Sequence, residues 1–167
     1  RVLEECITKL VDFCDGHPDV GVVGPRILGC DGKLQRSCRG FPTVWNMLCR
    51  AFGLDIIFPN CRMFGGYLMR YWRQDTLQPV HILSGCFWLV RAEALAQVGG
   101  LDEAFFMYGE DMDWCRRFWT AGWKLFFVPT ASAVHYGGAS SANAPIRFFI
   151  EKQRADLLAY YTLNGKI

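Results

Sequence analysis

The chain has 167 residues, 51% of them hydrophobic, which is enough for one domain with a buried core. Its 18 basic and 16 acidic residues leave a formal net charge of +2, no footprint for a polyanion, so nucleic acid is not an implied partner. Its apolar runs, such as Ile82 to Val90, fall well short of the roughly 20 residues that a membrane-spanning helix needs.

The chain opens on Arg1 without an initiator methionine or a charged-then-apolar leader, and directly in a helical pattern. It is expected to be a piece of a longer protein whose missing part is N-terminal. Val2, Leu3, Cys6, Ile7, Leu10, Val11 and Cys14 recur at helical spacing, with Glu4, Glu5, Lys9 and Asp12 on the other side. Gly16 and Pro18 stop that helix. Val20 to Val23 is an apolar run bounded by Pro18 and Gly24-Pro25, as suits a buried strand. Arg26 to Cys30 and Leu34 to Cys38 flank Asp31-Gly32, a hairpin signal.

Phe41-Pro42-Thr43 begins a helical segment with Val44, Met47, Leu48 and Phe52, ended by Gly53. Residues 56 to 78 are irregular, aromatic and basic. Val80 to Val90 reads as a strand passing through Ser84-Gly85, and Arg91 to Val98 as a short helix ended by Gly99-Gly100. Gly109-Glu110-Asp111-Met112-Asp113 opens a helix whose apolar face is Met112, Cys115, Phe118 and Trp119. Trp123 to Val128, ended by Pro129, and Ala131 to Tyr136 read as two strands. Gly137 to Asn143 is small and polar, expected to be mobile, and Pro145 to Leu163 reads as a final amphipathic helix. Strands alternating with helices imply an α/β layered domain over residues 1–167.

Eight cysteines are scattered singly among apolar neighbours, with no C-x-x-C pair, Cys86 among them in an apolar strand. That spacing fits neither a zinc site nor a disulfide framework, and free buried thiols in a reducing cytosol are expected.

Three groups of residues invite a chemical reading. Glu110-Asp111 opens a helix, where acids commonly offset the macrodipole. The preceding Phe105-Phe106-Met107-Tyr108 would also wall them in apolar surface, which raises a carboxyl towards a useful base. His135 ends a strand before Tyr136-Gly137-Gly138-Ala139-Ser140-Ser141. It suits a cation ligand beside a phosphate-closing loop, or a hydrogen-bonded structural histidine. Ser84-Gly85 inside an apolar strand marks close approach by a ligand or another chain, or tight packing. The basic aromatic stretch with Arg62, Arg70, Tyr71, Trp72 and Arg73 suits a membrane surface, a lipid-linked acceptor, or a solvated loop.

Taken in order, several segments resemble the family 2 glycosyltransferases, above all the bacterial rhamnosyltransferase-like branch. They are Val20 to Arg26, Asp31-Gly32, Gln35-Arg36-Ser37, Leu83 to Phe87, Val90-Arg91, Val98 to Phe106, Gly109 to Asp113, Ala121 to Lys124 and Val134 to Gly138. The resemblance covers nearly the whole chain. It implies the acceptor-side, C-terminal portion of a GT-A, Rossmann-like domain, a three-layer mixed sheet with flanking helices. It implies inverting transfer from a nucleotide-sugar donor, with dTDP-rhamnose as the suggested donor. The acceptor would be a hydroxyl of a glycan or lipid-linked saccharide, in cell-surface polysaccharide synthesis.

By the same likeness Asp111 is the catalytic base and Glu110 supports it. His135 is a ligand of a divalent cation, Mg or Mn, and Ser84, Gly85, Gly137, Gly138 and Ser140 bind substrate. The place of action is cytoplasmic, with peripheral association at the inner face of the membrane. The family's nucleotide-binding strand and Asp-x-Asp motif lie N-terminal to everything here, and Asp12-Phe13-Cys14-Asp15, on the first helix, is no substitute. The piece alone is therefore expected to be inactive. A non-catalytic binding or scaffolding domain of the same fold is the competing reading, and a metal-dependent hydrolase using Asp111 and His135 a third.

Overall fold

A computed structural model describes residues 1–137 together with 146, 147, 150, 151 and 154. Helix α1 (Cys6–Asp15) starts later than the hydrophobic spacing implies. Val2 bridges Ala133 instead, and Glu5, at φ 56°, turns the chain into the helix. Its buried residues Cys6, Leu10 and Cys14 stand at i, i+4 and i+8, one stripe facing the sheet.

Strand β1 (Val20–Leu28) runs on through Gly24-Pro25. It turns at Gly32, φ 75°, into β2 (Leu34–Gln35), antiparallel with Leu28 opposite Leu34, so the Asp-Gly hairpin is present. Two short strands, β3 (Cys38–Arg39) and β5 (Ile82–Leu83), pair with each other. Between them lie α2 (Val44–Ala51), α3 (Leu54–Ile57) and β4 (Gln78–Pro79). Thr43 caps α2, its hydroxyl accepting from the Asn46 N–H at 3.1 Å. The chain then makes β6 (Leu89–Val90), α4 (Ala92–Val98), α5 (Glu110–Thr120) and β7 (Lys124–Val134).

The main sheet has the order β2-β1-β7-β4, with β6 also paired to β1. β1 and β7 are parallel, while β2, β4 and β6 join antiparallel. Pro129 does not end a strand. The register steps from Pro25 opposite Val128 to Arg26 opposite Ser132, leaving residues 129 to 131 of β7 unmatched. A proline cannot donate to a ladder, and both prolines stand where the ladder skips. One strand thus replaces the two expected from Trp123 to Tyr136.

Two cores flank the sheet. On one side Leu10 of α1 meets Val20, Val23, Ile27 and Val128. On the other, Phe118 of α5 and Ala94 of α4 meet Val22, Leu125 and Phe127. Burial of each such large side chain contributes about 1.5–3 kcal/mol. This is the layered mixed sheet with flanking helices expected from the sequence.

The expected strand from Val80 to Val90 is two short strands separated by a turn. Ser84 donates its N–H to Ser37 O at 2.7 Å, one further rung of the β3–β5 ladder, and the chain turns only after it, at Gly85 and Cys86. The irregular segment is held by Arg36, whose guanidinium donates to the carbonyls of Met69 and Trp72 at 3.2 and 2.8 Å. Those carbonyls have no ladder to satisfy them, and a planar fork of donors does so instead. Residues 146, 147, 150, 151 and 154 are helical, while the remainder of the helix expected from Pro145 to Leu163 lies outside the described residues. No helix among the described residues is long and apolar enough to cross a membrane.

All eight cysteines are free, but not all are buried. Cys30 is exposed, while Cys6, Cys14, Cys38, Cys49 and Cys115 are buried. Burial pushes the Cys38 thiol up to about 12 and raises that of Cys115 as well.

Candidate active site

Tyr108 and Gly109 both have positive φ, 67° and 83°, and this left-handed pair swings the chain into α5. A tyrosine there is strained, a cost that tertiary structure has to hold in place. The first turn of α5 then presents three carboxylates, Glu110, Asp111 and Asp113, whose surroundings differ.

Asp113 is structural. It is buried and receives Arg117 Nε at 2.8 Å, while the same guanidinium donates to Val98 O at 3.1 Å and Gly100 O at 2.8 Å. The pair ties α5 to the end of α4.

Asp111 faces the turn after β5. Its Oδ2 accepts the Gly85 N–H at 3.3 Å and its Oδ1 accepts the Met112 N–H at 2.8 Å. Two sequence-predicted site residues, 26 apart in the chain, are thereby brought into contact. A carboxylate has about four lone-pair positions, so two remain for an incoming hydroxyl. Gly85 is not required by packing: a Cβ there would lie 3.6 Å from Asp111 Cβ, ordinary contact. Ser84 is fixed through its backbone to Ser37.

Glu110 is half-buried, and its Oε2 has no hydrogen-bond partner among the described residues. Burial, and secondarily the charge of Asp111, hold its carboxyl above the ordinary value of 4.5. Burial therefore acts on Glu110. Because its folded-state pKa is raised, the stability linked to its proton is full below 4.5 and is lost as pH rises through the folded-state pKa. Glu110→Gln removes that loss, so the melting temperature of the variant relative to the native protein should climb with pH above 4.5. Thermal melts over a pH series measure this, and a difference that does not change with pH would refute it.

His135 follows β7 and hydrogen bonds to the hairpin. Its N–H donates to Leu28 O at 2.8 Å, its Nδ1 meets Gln35 Oε1 at 3.0 Å, and Gln35 Nε2 donates to His135 O at 2.9 Å. The ring is exposed, and Nε2 makes no hydrogen bond among the described residues. Gly137 lies in a turn against Gln35 and the His135 ring. Gly138, Ser140 and the rest of the expected phosphate loop lie outside the described residues. No hydrogen bond joins His135 to Asp111 among those residues.

Among the described residues no three His, Cys, Asp or Glu side chains converge to hold a metal ion. His135 Nε2 offers a single ligand, so these residues do not fit a complete divalent-cation site, and no step is derived through one.

Two further residues escaped the sequence reading. Gln35 clamps His135 from 100 positions away, and Arg26 has a buried Nε without a partner among the described residues. Both stood within the family-like segments, but nothing local marked a role. A cleft of about 340 Å³ also opens near β5, lined among others by Phe41, Asn46, Arg62, Tyr71 and His81. Burial, then Arg62, lowers the His81 pKa, which favours a neutral ring there.

A mixed sheet with helices on both faces, and a carboxylate pair opening a helix beside it, is an α/β architecture consistent with a GT-A glycosyltransferase domain. The chain belongs to glycosyltransferase family 2: the family model described as "Glycosyl transferase family group 2" matches residues 1–155. Among curated relatives, the N-acetylglucosaminyl-diphospho-decaprenol L-rhamnosyltransferase of Mycobacterium tuberculosis (strain ATCC 25618 / H37Rv) is 36% identical over 143 residues, 83% of this chain and 45% of that protein. The same identity and coverage hold for the protein of strain CDC 1551 / Oshkosh. Rhamnosyltransferase WbbL of Escherichia coli (strain K12) is 45% identical over 53 residues, 32% of this chain and 20% of that protein. The chain thus spans less than half the length of the curated relatives it matches.

Proposed function

We propose that this chain is the acceptor side of an inverting glycosyltransferase in which Asp111 is the base. The observation that carries the reading is the seating of Asp111 at the start of α5, oriented by the Gly85 and Met112 N–H groups with lone pairs to spare. The acceptor hydroxyl gives its proton to Asp111 as its oxygen attacks the anomeric carbon of the donor. The bond from that carbon to the nucleotide diphosphate breaks, and the diphosphate leaves with the bonding electrons. One displacement inverts the anomeric configuration.

Glu110 shields one flank of Asp111, and Ser84 and Gly85 form the turn against which the acceptor would lie. His135, Gly137, Gly138 and Ser140 belong to the donor-phosphate side, where Mg or Mn is the family's usual companion. The names of the relatives support a rhamnosyl donor, for which we propose dTDP-rhamnose, and that of the Mycobacterium tuberculosis protein supports a saccharide acceptor linked through diphosphate to a polyprenol. Peripheral contact with the membrane that holds such an acceptor follows from the same reading.

The test is transfer by the intact protein from a panel of nucleotide sugars to a synthetic diphospho-polyprenol acceptor, with the product linkage read by NMR. Transfer from dTDP-rhamnose with inverted configuration is expected. Retention of configuration would overturn the direct-displacement reading, and binding without transfer would favour a scaffolding domain.

A further inference from the structure

The helices between β3 and β4 carry an apolar face that the chain itself does not cover. Val44, Leu48 and Phe52 stand one turn apart on or beside α2, Trp45 lies next to them, and Ile56 and Ile57 extend the patch into α3. All six are exposed, Phe52 by 73% and Ile56 by 66%. Eight of the eighteen large hydrophobic side chains exposed among the described residues fall between positions 44 and 63, so this is one patch and not a scatter.

The patch is rigidly mounted from below. Cys49 is the buried residue of α2, Trp45 Nε1 donates to Met63 O at 3.0 Å, and Asn46 Nδ2 donates to Phe41 O at 3.0 Å. Gly40 packs so closely on Gly66 that a Cβ at Gly40 would lie 2.4 Å from the Gly66 carbonyl oxygen. The outward side chains are not what holds the unit together.

Charge decides what the face fits. Arg39, Arg50, Arg62, Arg70 and Arg73 are all exposed on the stretch from β3 to β4, against two acids, Asp55, which is buried, and Asp75, which is exposed. The whole chain is close to neutral at +2, so this segment holds the imbalance. A protein partner would have to be apolar and acidic on the same surface, and interface cores are usually depleted of charge. An anionic leaflet supplies both properties in layers, phosphates outside and acyl chains beneath.

We propose that the α2–α3 face docks on an anionic lipid bilayer, its apolar stripe at the acyl boundary and its arginines among the headgroup phosphates. The use of this docking rests on the glycosyltransferase reading. The cleft lined by Thr43, Asn46 and Arg62 shares residues of α2 and its N-cap and so adjoins the docked face.

The experiment is co-sedimentation of the intact protein with phosphatidylcholine vesicles, with and without phosphatidylglycerol. Binding is expected with the anionic vesicles and about tenfold or more weaker without them. The triple variant Phe52→Ser, Ile56→Ser, Ile57→Ser should lose about tenfold or more of the binding while keeping transfer to a soluble, lipid-free acceptor. If that variant fails to fold, Arg50→Gln and Arg73→Gln carry the same test, each weakening binding by about fivefold. Absence of binding to anionic vesicles, or binding unchanged in folded variants, would overturn the proposal. So would a triple variant whose only change is a lower mass by light scattering, since a second copy would then cover the face. Loss of soluble-acceptor transfer in Asp111→Asn is scored separately, which keeps failure of the docking apart from failure of the catalytic reading.

Discussion

Asp111→Asn in the intact protein is expected to lower turnover by about 10²–10⁴-fold, the usual contribution of a positioned general base. Asparagine keeps the size of the side chain and one oxygen acceptor, enough for one of the two N–H groups of Gly85 and Met112, so the start of α5 should survive. What is lost is a group able to take a proton from the acceptor hydroxyl. Donor binding and melting temperature should therefore stay close to native while kcat collapses, the pattern of an interaction made in the transition state. Glu110→Gln, which keeps the shape of the half-buried neighbour, should cost much less. Steady-state kinetics with calorimetric donor titration measures both, and near-native turnover in Asp111→Asn would remove it from the role of base.

Asp113→Ala should show the opposite pattern. Its carboxylate is buried against Arg117, and that ion pair joins α5 to the end of α4. A hydrogen bond involving charged groups contributes roughly 1.5–3 kcal/mol, and here removal also strands part of a guanidinium. A loss of about 2 kcal/mol lowers the melting temperature of a domain of this size by about 4–8 °C. Turnover per folded molecule should change little, because Asp113 is held by Arg117, whereas the Gly85 N–H is bound by Asp111. A turnover loss as large as that of Asp111→Asn, at native stability, would mean that the roles of the two acids are misassigned.

The contrast between these acids shows what the sequence conveys and what it withholds. Gly109-Glu110-Asp111-Met112-Asp113 announces a helix start rich in carboxylates, and the structure places it there. Which acid is paired, which is shielded and which is available depends on Arg117, the Gly85 turn and the burial of Glu110, all set by packing. The Asp31-Gly32 hairpin and the termini of α2, α4 and α5 were legible because local turn and periodicity rules govern them. Pro129 misled because the local rule ends a strand at proline, whereas the neighbouring strand skips in register and accommodates it. The break after Ser84 was invisible because Ile82-Leu83 and Leu89-Val90 pair with different strands, β3 and β1, both distant in the chain. The spacing of Val44, Leu48 and Phe52 predicted a helix correctly, but spacing does not say whether an apolar face turns inward.

The parallel pairing of β1 with β7 has a consequence for synthesis. Val20 lies opposite Lys124, so about a hundred residues separate the two central strands. At ribosomal speeds of about 5–20 residues per second, the partner of β1 emerges roughly 5–20 s after it. Throughout that interval Val20, Val22 and Val23 wait without the strand that buries them, an aggregation-prone edge in a nascent polypeptide. The hairpin and α1 form early from local contacts, whereas Asp111 meets Gly85 on a scaffold that closes only when translation has passed Val134. A truncation before Lys124 therefore removes the strand with which β1 pairs, and the scaffold beneath Asp111 and Gly85 does not close.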